Sequence, residues 1–466
     1  MKRLFIISTL IIVAIFPTLF LWTNNLGELP FRNIAIKMIV LSIASIAFFF
    51  ITRFFIKTDE KASLMTIASL LSYHFLTIVA PEWYNLIFIW IALTCLMIII
   101  IKKWNGIKTQ NMINNIFCII ASTLLILNII PLIIFYTDSS RIQSQQIVKT
   151  NCNINNNIYY IILDAYERED IQQEIFLYKS KLTPFLRDQG FYVVDKSTSN
   201  YPWTFCSIPS TLKMDYISDV LDDVNNGSKY QDIAINLIKN SVVSRTFKSL
   251  GYKYIYEAPF IERDNDYADI VFPKEEESLL WFSNNDRKYT IIPQEFNSID
   301  DILGVIGKKF VFMHMETPHE PFVFNSDGSR NIKSLGFYDG QSYLNQLKFT
   351  ESKTISFILK IRKYDPSAII ILQSDHGSDT TFSDKIWQSP SEMNIHERYS
   401  NLSAYYFPDG DYSILNKTMT SVNTFRIIFT KYFGYQEGLL PERNYFTGTG
   451  MPVKFSDITD IVKKNN

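Results

Sequence analysis

Five long apolar runs in the first third of this 466-residue chain constrain its fold most strongly. Each run is close to the ~20 residues that an α-helix needs to cross the hydrocarbon core of a bilayer. Five buried core helices in so short a stretch would be unusual. The first run also lacks the small-residue cleavage site of a signal peptide. We therefore expect five transmembrane helices. The runs cover residues 4–22, 34–52, 62–80, 86–101 and 114–136.

Basic residues in the short loops predict the orientation of these helices. Lys2, Lys57 and Lys103 belong to basic clusters before the first run, between the second and third, and between the fourth and fifth, while residues 81–85 contain no basic residue. Because cytoplasmic loops are enriched in Lys and Arg, we expect a cytoplasmic N-terminus. With an odd number of spans, the chain after Tyr136 is then periplasmic or extracellular, and the protein is a multi-pass protein of the inner or plasma membrane. The net charge of -1 gives no indication of a nucleic-acid partner.

A polar segment rich in Ser, Gln and Asn separates the membrane part from the rest of the chain. We expect a transmembrane domain at 1–136, a juxtamembrane linker at 137–156 and an outer domain at 157–466. In the outer domain, strand-length apolar runs alternate with helical patterns, which predicts an α/β doubly wound sheet with helices on both faces. The clearest strand patterns cover 158–163, 310–313 and 368–372, and the clearest helical patterns lie around 171–189 and 343–363.

Polar residues follow each of these three strand patterns. They are Asp164 after the first, the segment from His314 to His319 after the second, and Asp375 with His376 after the third. Ligands of such sheets bind beyond the carboxyl ends of the strands, and carboxylates with imidazole suit a divalent ion such as zinc or manganese. Taken singly, each pattern also fits a helix cap or a turn. Their occurrence at equivalent strand ends favours a metal site.

The order of these motifs resembles that of the alkaline phosphatase/sulfatase superfamily. Asp164 follows the first strand, a hydroxyl nucleophile follows on the next loop, and Asp375-His376-Gly377 comes late in the chain. The chain is most similar to the membrane-bound members of that superfamily, lipoteichoic acid synthase and the lipid A phosphoethanolamine transferases, which also have five spans followed by an external catalytic domain. The resemblance implies a sulfatase-like catalytic domain.

The resemblance also implies a nucleophile. Residues 200–209 are similar to the transferases' pattern of a catalytic Thr followed three residues later by Ser and five later by Pro, which makes Thr204 the nucleophile. We expect a helix to start near Ser207 and to direct its N-terminal amides at the phosphoryl oxygens.

One divalent metal ion, zinc or manganese, is the cofactor that the resemblance implies, and a second ion is left open. Its ligands would be Asp164, Asp375, His376 and the oxygen of Thr204. Coordination would lower the pKa of the threonine hydroxyl and make it a nucleophile.

Two further histidines resemble substrate-binding residues of the transferases. The segment 317–322 is similar to their His-x-Pro-aromatic motif, which makes His319 a candidate for substrate binding or acid catalysis. His396 stands roughly where they have another substrate-binding histidine. His314 fits a core position of a strand as well as it fits a ligand.

Cys206 raises the alternative of a sulfatase that uses formylglycine. Such enzymes carry Cys-x-Pro-x-Arg, whereas here Pro209 comes one place too late and no Arg follows at the required spacing. We therefore interpret Cys206 as a packing residue or as half of a disulfide with Cys152, and the sequence does not decide between the two.

These patterns together predict a membrane-anchored phospho-transferase. It would move a phosphoglycerol or phosphoethanolamine group from a phospholipid donor to a cell-envelope glycan or lipid through a phospho-threonine intermediate. The alternatives are a phosphoric or sulfuric ester hydrolase of the same superfamily, and an inactive sulfatase-like membrane protein. A channel has little support, because the apolar runs contain almost no ionisable residues away from their ends.

Overall fold

The structure of the chain is a computed structural model, which divides into two compact units, Met1–Arg141 and Ile142–Asn466. It describes residues 2–24, 31–79, 147–150, 154–217, 227–258, 265–272, 284–333, 338–383, 386–448 and 455–465, with residue 336 and scattered positions between 94 and 127.

In the described part of the first unit, three helices have defined bounds: α1 (Lys2–Asn24), α2 (Phe31–Ile56) and α3 (Asp59–Val79). They pack against one another through small clusters of buried apolar side chains, such as Leu10 of α1 and Phe49 of α2. Large apolar side chains elsewhere on α2 are exposed, as expected for a surface that faces lipid rather than water.

The structure establishes less of the membrane part than the sequence predicts. Within the described residues, the segment Ile34–Ile56 is the one helix long and apolar enough to cross a membrane, and Phe5–Phe20 is a shorter apolar helix. The predicted spans at 86–101 and 114–136 lie largely outside the described residues. The five-span bundle therefore stays a prediction.

A seven-stranded mixed sheet forms the centre of the second unit, with the strand order β2-β7-β6-β1-β5-β3-β4. The central strand β1 pairs in parallel with both β5 and β6, and β3 and β4 continue the parallel part. A small second sheet pairs β8 with β9. The strands are β1 (Ile158–Leu163), β2 (Tyr192–Val193), β3 (Lys253–Glu257), β4 (Ile270–Phe272), β5 (Lys309–Met315), β6 (Ile369–Gln373), β7 (Ser403–Tyr406), β8 (Tyr445–Phe446) and β9 (Ser456–Asp457).

Helices cover both faces of the large sheet. Successive residues of β1 point to opposite faces, so Tyr160 packs with Phe425 of α13 on one side and Tyr159 shares a core with Phe357 of α11 on the other. The helices described in this unit are α4 (Glu169–Phe176), α5 (Leu182–Asp188), α6 (Thr204–Lys213), α7 (Gly227–Lys239), α8 (Val242–Ser249), α9 (Asn284–Asn297), α10 (Ile299–Gly304), α11 (Gly340–Tyr364), α12 (Glu392–Tyr399), α13 (Thr424–Phe433) and α14 (Thr459–Lys464).

Local side-chain chemistry explains where two of these helices begin. The Asp339 carboxylate accepts a hydrogen bond from the Ser342 amide and caps α11. Ser391 and Asn394 form a reciprocal capping box at the start of α12. Both caps satisfy amides that have no partner inside the helix.

The sheet departs from the prediction in one respect, because β7 runs antiparallel to β6 and β2 antiparallel to β7. After β6 the chain passes through α12 and re-enters the sheet at the same edge, where the Ser374 amide donates to the Leu402 carbonyl. A parallel β7 would require a crossover that returns the chain to the amino ends of the strands. The domain is therefore a mixed α/β sheet covered by helices on both faces.

The individual elements agree closely with the sequence patterns. The strand pattern at 158–163 is β1, while β5 and β6 differ from their patterns by one or two residues at their ends. The helical pattern at 171–189 is two helices, α4 and α5, because Leu177 has the left-handed φ of 51° and ends the first.

Candidate active site

Three side chains converge at the carboxyl edge of the central strands. Asp164 follows β1, and Asp375 with His376 follows β6, its neighbour. All three are buried, and one ligand atom of each lies within 4.8 Å of the others. The described residues thus contain a compact cluster of two carboxylates and one imidazole that could hold a metal ion, and all three are residues that the resemblance implies as ligands.

The donor atoms of this cluster suit a divalent ion. The Asp164 Oδ1 atom is buried and has no hydrogen-bond partner, a costly arrangement that a cation would relieve. His376 Nδ1 lies 2.9 Å from the Gly377 carbonyl oxygen, to which it donates its proton. The lone pair therefore resides on Nε2, 3.2 Å from Asp375 Oδ2. A second partner that fixes the tautomer in this way is typical of metal-ligating histidines.

Thr204 completes the set of four predicted metal-site residues. Its hydroxyl donates to Asp375 Oδ2 at 2.7 Å, and its Oγ1 lies 3.2 Å from His376 Nε2. Helix α6 begins at Thr204 rather than near Ser207, so that expectation was wrong by three residues. The Trp203 carbonyl accepts the hydrogen bonds of the first turn, which the sequence pattern does not reveal. Thr204 consequently lies on the positive end of the helix dipole.

The two carboxylates of the cluster have opposite pKa shifts. Burial, with the neighbouring Asp164 carboxylate, raises the pKa of Asp375 to about 6. Burial also acts to raise the pKa of Asp164, but His319 and His314 outweigh it and hold that pKa below its usual range. At least one carboxylate is therefore ionised at neutral pH, which a cation ligand requires.

His314 is a site residue whose role the sequence left open. It is buried in β5, opposite Ile162 of β1, and its Nε2 lies 3.3 Å from Asp164 Oδ2. Asp164 thus presents one oxygen to His314 and its other oxygen, Oδ1, to the centre of the cluster. Such outer contacts orient a ligating carboxylate.

His319 lies at the edge of the cluster on a tightly held loop. Its ring Nδ1 is 2.6 Å from the Glu320 carbonyl oxygen, and its amide donates to the Asp164 carbonyl. The buried Lys288 ammonium donates to the carbonyls of His319 and Glu320 at 2.6 and 2.7 Å. The side chain of His319 is still 28% exposed, so it borders both the cluster and solvent.

His396 is not brought into the cluster. It lies on α12, and its Nε2 is 4.0 Å from the Glu174 carboxylate of α4. Burial and the nearby Arg168 guanidinium lower the pKa of His396. Its predicted role in substrate binding is therefore not supported by a contact with the metal-site residues.

Arg398 is a buried side chain at the site that no sequence motif indicates. Its side chain is buried, and its Nη2 lies 3.2 Å from His376 Nε2. Burial, followed by the Arg398 charge, lowers the pKa of His376 well below its usual range and keeps that imidazole neutral. In the sequence, Arg398 is indistinguishable from a surface arginine on a helix.

Cys206 lies two residues after the candidate nucleophile and is fully buried. It packs with Tyr201 and Ile217, which agrees with the reading as a packing residue. Cys152, the other half of the alternative disulfide, lies outside the described residues.

Comparisons with known proteins identify similar solved structures. No family model and no curated protein matches the sequence. The C-terminal periplasmic domain of EcEptC from Escherichia coli is similar at 13% identity and a TM-score of 0.47, and its complex with Zn at 12% and 0.46, each over 67% of this chain and 96% of that one. The soluble domain of lipooligosaccharide phosphoethanolamine transferase A from Neisseria meningitidis is 12% identical, with a TM-score of 0.39, over 61% of this chain and 89% of that one.

A glycan sulfatase is also among the similar structures. BT1596, a 2-O GAG sulfatase, is 10% identical with a TM-score of 0.43, over 63% of this chain and 78% of that one. All these matches belong to the alkaline phosphatase/sulfatase superfamily, which the motifs resemble. Because the TM-scores lie below 0.5, the chemistry of this chain rests on its own residues.

Gly377 leaves no room for a side chain, which yields a first prediction. A Cβ atom there would lie 2.0 Å from the Glu397 carbonyl oxygen and 3.0 Å from that of Ser400. Gly377→Ala should therefore destabilise the fold by about 1–3 kcal/mol or more. Thermal unfolding of the full chain in detergent measures this. Gly304→Ala, whose Cβ would meet no atom within 4 Å, is the matched control. Equal melting temperatures for the two variants would contradict the prediction.

The contact between His314 and Asp164 yields a second prediction. His314→Ala removes the partner of Asp164 Oδ2, so we expect the affinity for zinc to fall by roughly 10–100-fold. Competition with a chelator of known affinity measures it on the purified full chain. His396→Ala is the control and should leave the zinc affinity unchanged, because that residue lies beside Glu174. An unchanged affinity in the His314 variant would show that Asp164 needs no such support.

Proposed function

We propose that this chain is a metal-dependent enzyme that transfers a phosphoryl-type group through Thr204. The observation that carries the proposal is the position of the Thr204 hydroxyl, 2.7 Å from Asp375 Oδ2 and 3.2 Å from His376 Nε2. A threonine that only caps a helix does not need two side chains that can bind a metal ion in contact with its hydroxyl oxygen.

The proposed cofactor is one divalent ion, zinc or manganese, held by Asp164, Asp375, His376 and Thr204. Bound there, it would supply Lewis-acid chemistry that lowers the pKa of the threonine hydroxyl and polarises the substrate phosphate. The unpartnered Asp164 Oδ1 and the lone pair on His376 Nε2 support this ligand set.

The first half of the proposed reaction loads the enzyme. Thr204 Oγ1 attacks the phosphorus, so the Oγ1–P bond forms while the P–O bond to the leaving alcohol breaks. The hydroxyl proton passes to solvent water, which reaches the half-buried Thr204, because Asp375 and His376 are proposed metal ligands. His319, which borders both the cluster and solvent, donates a proton to the departing oxygen.

The second half regenerates the enzyme. An acceptor hydroxyl attacks the phospho-threonine, its proton passes to His319, and the P–Oγ1 bond breaks. Thr204 Oγ1 then regains a proton from solvent water. A sugar or lipid hydroxyl as acceptor gives transfer, and water gives hydrolysis of a phosphoric or sulfuric ester.

For the donor we propose a phospholipid that supplies a phosphoglycerol or phosphoethanolamine group, and for the acceptor a cell-envelope glycan or lipid. The apolar helix Ile34–Ile56 supports an anchor that keeps the site near lipid head groups. We accordingly propose a membrane domain at 1–136, a linker at 137–156 and a periplasmic or extracellular catalytic domain at 157–466. His319, and farther out His396, are the proposed substrate-binding side chains.

Replacement of the nucleophile tests the proposal directly. Thr204→Ala should lower turnover of a phospholipid donor by roughly 10⁴-fold or more, because no other group replaces an attacking oxygen. Thr204→Ser keeps the hydroxyl and should retain part of the activity. Mass spectrometry of the wild-type chain after incubation with donor should detect the group on the peptide that contains Thr204.

The fate of a labelled head group separates the alternatives in the same experiment. Label on a glycan or lipid acceptor indicates transfer, and label released into water indicates hydrolysis. Full activity of Thr204→Ala would refute the assignment. No turnover by a metal-loaded wild-type chain, with any donor offered, would favour an inactive sulfatase-like protein.

A further inference from the structure

Arg398 is a buried cation next to the ligand cluster, and the proposed mechanism assigns it no role. Its side chain is 4% exposed. Its Nη2 atom and Thr204 Oγ1 lie at the same distance, 3.2 Å, from His376 Nε2. The guanidinium and the candidate nucleophile therefore contact the same imidazole nitrogen.

Neutral acceptors hold the guanidinium in place. Nε donates to the Pro202 carbonyl at 2.7 Å and Nη1 to the Gly377 carbonyl at 3.1 Å. The guanidinium carbon also lies 5.2 Å from the ring centres of Trp203 and Trp387, which stack on each other. These contacts fix the plane of the group without neutralising its charge.

The positive charge has no close carboxylate among the described residues. The carboxylate recorded within 4.0 Å is that of Asp379, at 3.9 Å from Nη1. Arg168, another buried arginine of this unit, makes a bidentate ion pair with Asp170 at 2.7 and 2.9 Å. Because a buried charge without a close counter-ion is costly, Arg398 requires an explanation that Arg168 does not.

Metal binding would alter the hydrogen bonding of Arg398. Nη2 lies against the Nε2 lone pair of His376, which is the atom that would coordinate the ion. Coordination of an ion would use that lone pair, so the N–H groups of Nη2 would be left without His376 as an acceptor. The guanidinium has five N–H donors in a planar fork that matches the oxygens of phosphate and sulfate.

We infer that Arg398 is an anion-binding residue that holds a non-bridging oxygen of a tetrahedral oxyanion beside Thr204. The ligand class is a phosphate or sulfate group, whether free or in an ester. This inference deepens the proposed function and rests on it, because it assumes that His376 binds a metal ion. The charge-assisted hydrogen bonds would hold the group in place for attack by the Thr204 oxygen and stabilise the charge that develops on it.

Binding of inorganic phosphate and sulfate tests the inference independently of turnover. Titration calorimetry on the zinc-loaded full chain in detergent gives the affinity for each anion. We expect Arg398→Gln to weaken phosphate binding at least tenfold, and Arg398→Lys, which keeps the charge but not the fork, to weaken it by a smaller factor. Arg168→Gln is the matched control and should bind phosphate like the wild type.

The zinc content of each variant distinguishes anion binding from mere support of His376. Weaker phosphate binding at unchanged zinc content supports the inference, and a parallel loss for sulfate extends it to both anions. A lower zinc content with unchanged phosphate affinity per bound zinc would overturn it, because Arg398 would then only position His376. Arg398→Lys provides the answer where the Gln variant does not fold.

Failure of this inference can be told apart from failure of the proposed function. Phosphate that binds equally well to the wild type and to both Arg398 variants would refute the role of Arg398. The proposed nucleophile would still stand if the Thr204 peptide acquires the transferred group. Absence of that adduct, with Arg398-dependent phosphate binding, would refute the nucleophile and leave the anion site in place.

Discussion

The candidate site depends on one constraint, which is the parallel pairing of β1 with β5 on one side and with β6 on the other. Because all three strands run in the same direction, their carboxyl ends emerge at one edge of the sheet. The Asp164 amide bonds the Met315 carbonyl, and the next amide, of Ala165, bonds Asp375 Oδ1 at 3.2 Å. A shift of one residue in either register would turn the ligands to the other face.

The strand-end residues of the site could be predicted because their signal is local. A short apolar run followed by Asp164, or by Asp375 and His376, is visible in the sequence itself, and the direction of the strands then determines where those side chains meet. Thr204 was located only through its resemblance to a known motif. The start of α6 was misplaced because the carbonyl that accepts the bonds of its first turn belongs to Trp203, which has no capping side chain.

The remaining parts of the site depend on tertiary contacts that no local pattern records. His314 in a strand has the same sequence signature whether it packs in a core or contacts a carboxylate. Arg398 contacts His376 because the chain returns to the sheet through α12, the helix that carries Arg398. The antiparallel direction of β7 follows from the same return. His396, two residues before Arg398, lies on the same helix and has its Nε2 atom 4.0 Å from the Glu174 carboxylate, away from the ligand cluster.

The central claim is that Thr204 is the nucleophile of a site built from Asp164, Asp375 and His376. A crystal structure of the full chain grown with zinc, with anomalous diffraction recorded at the zinc edge, tests it most directly. We predict one anomalous peak that is bounded by the side chains of Asp164, Asp375, His376 and Thr204. A zinc-soaked crystal without a peak there, or with an ion bound by other residues, would contradict it.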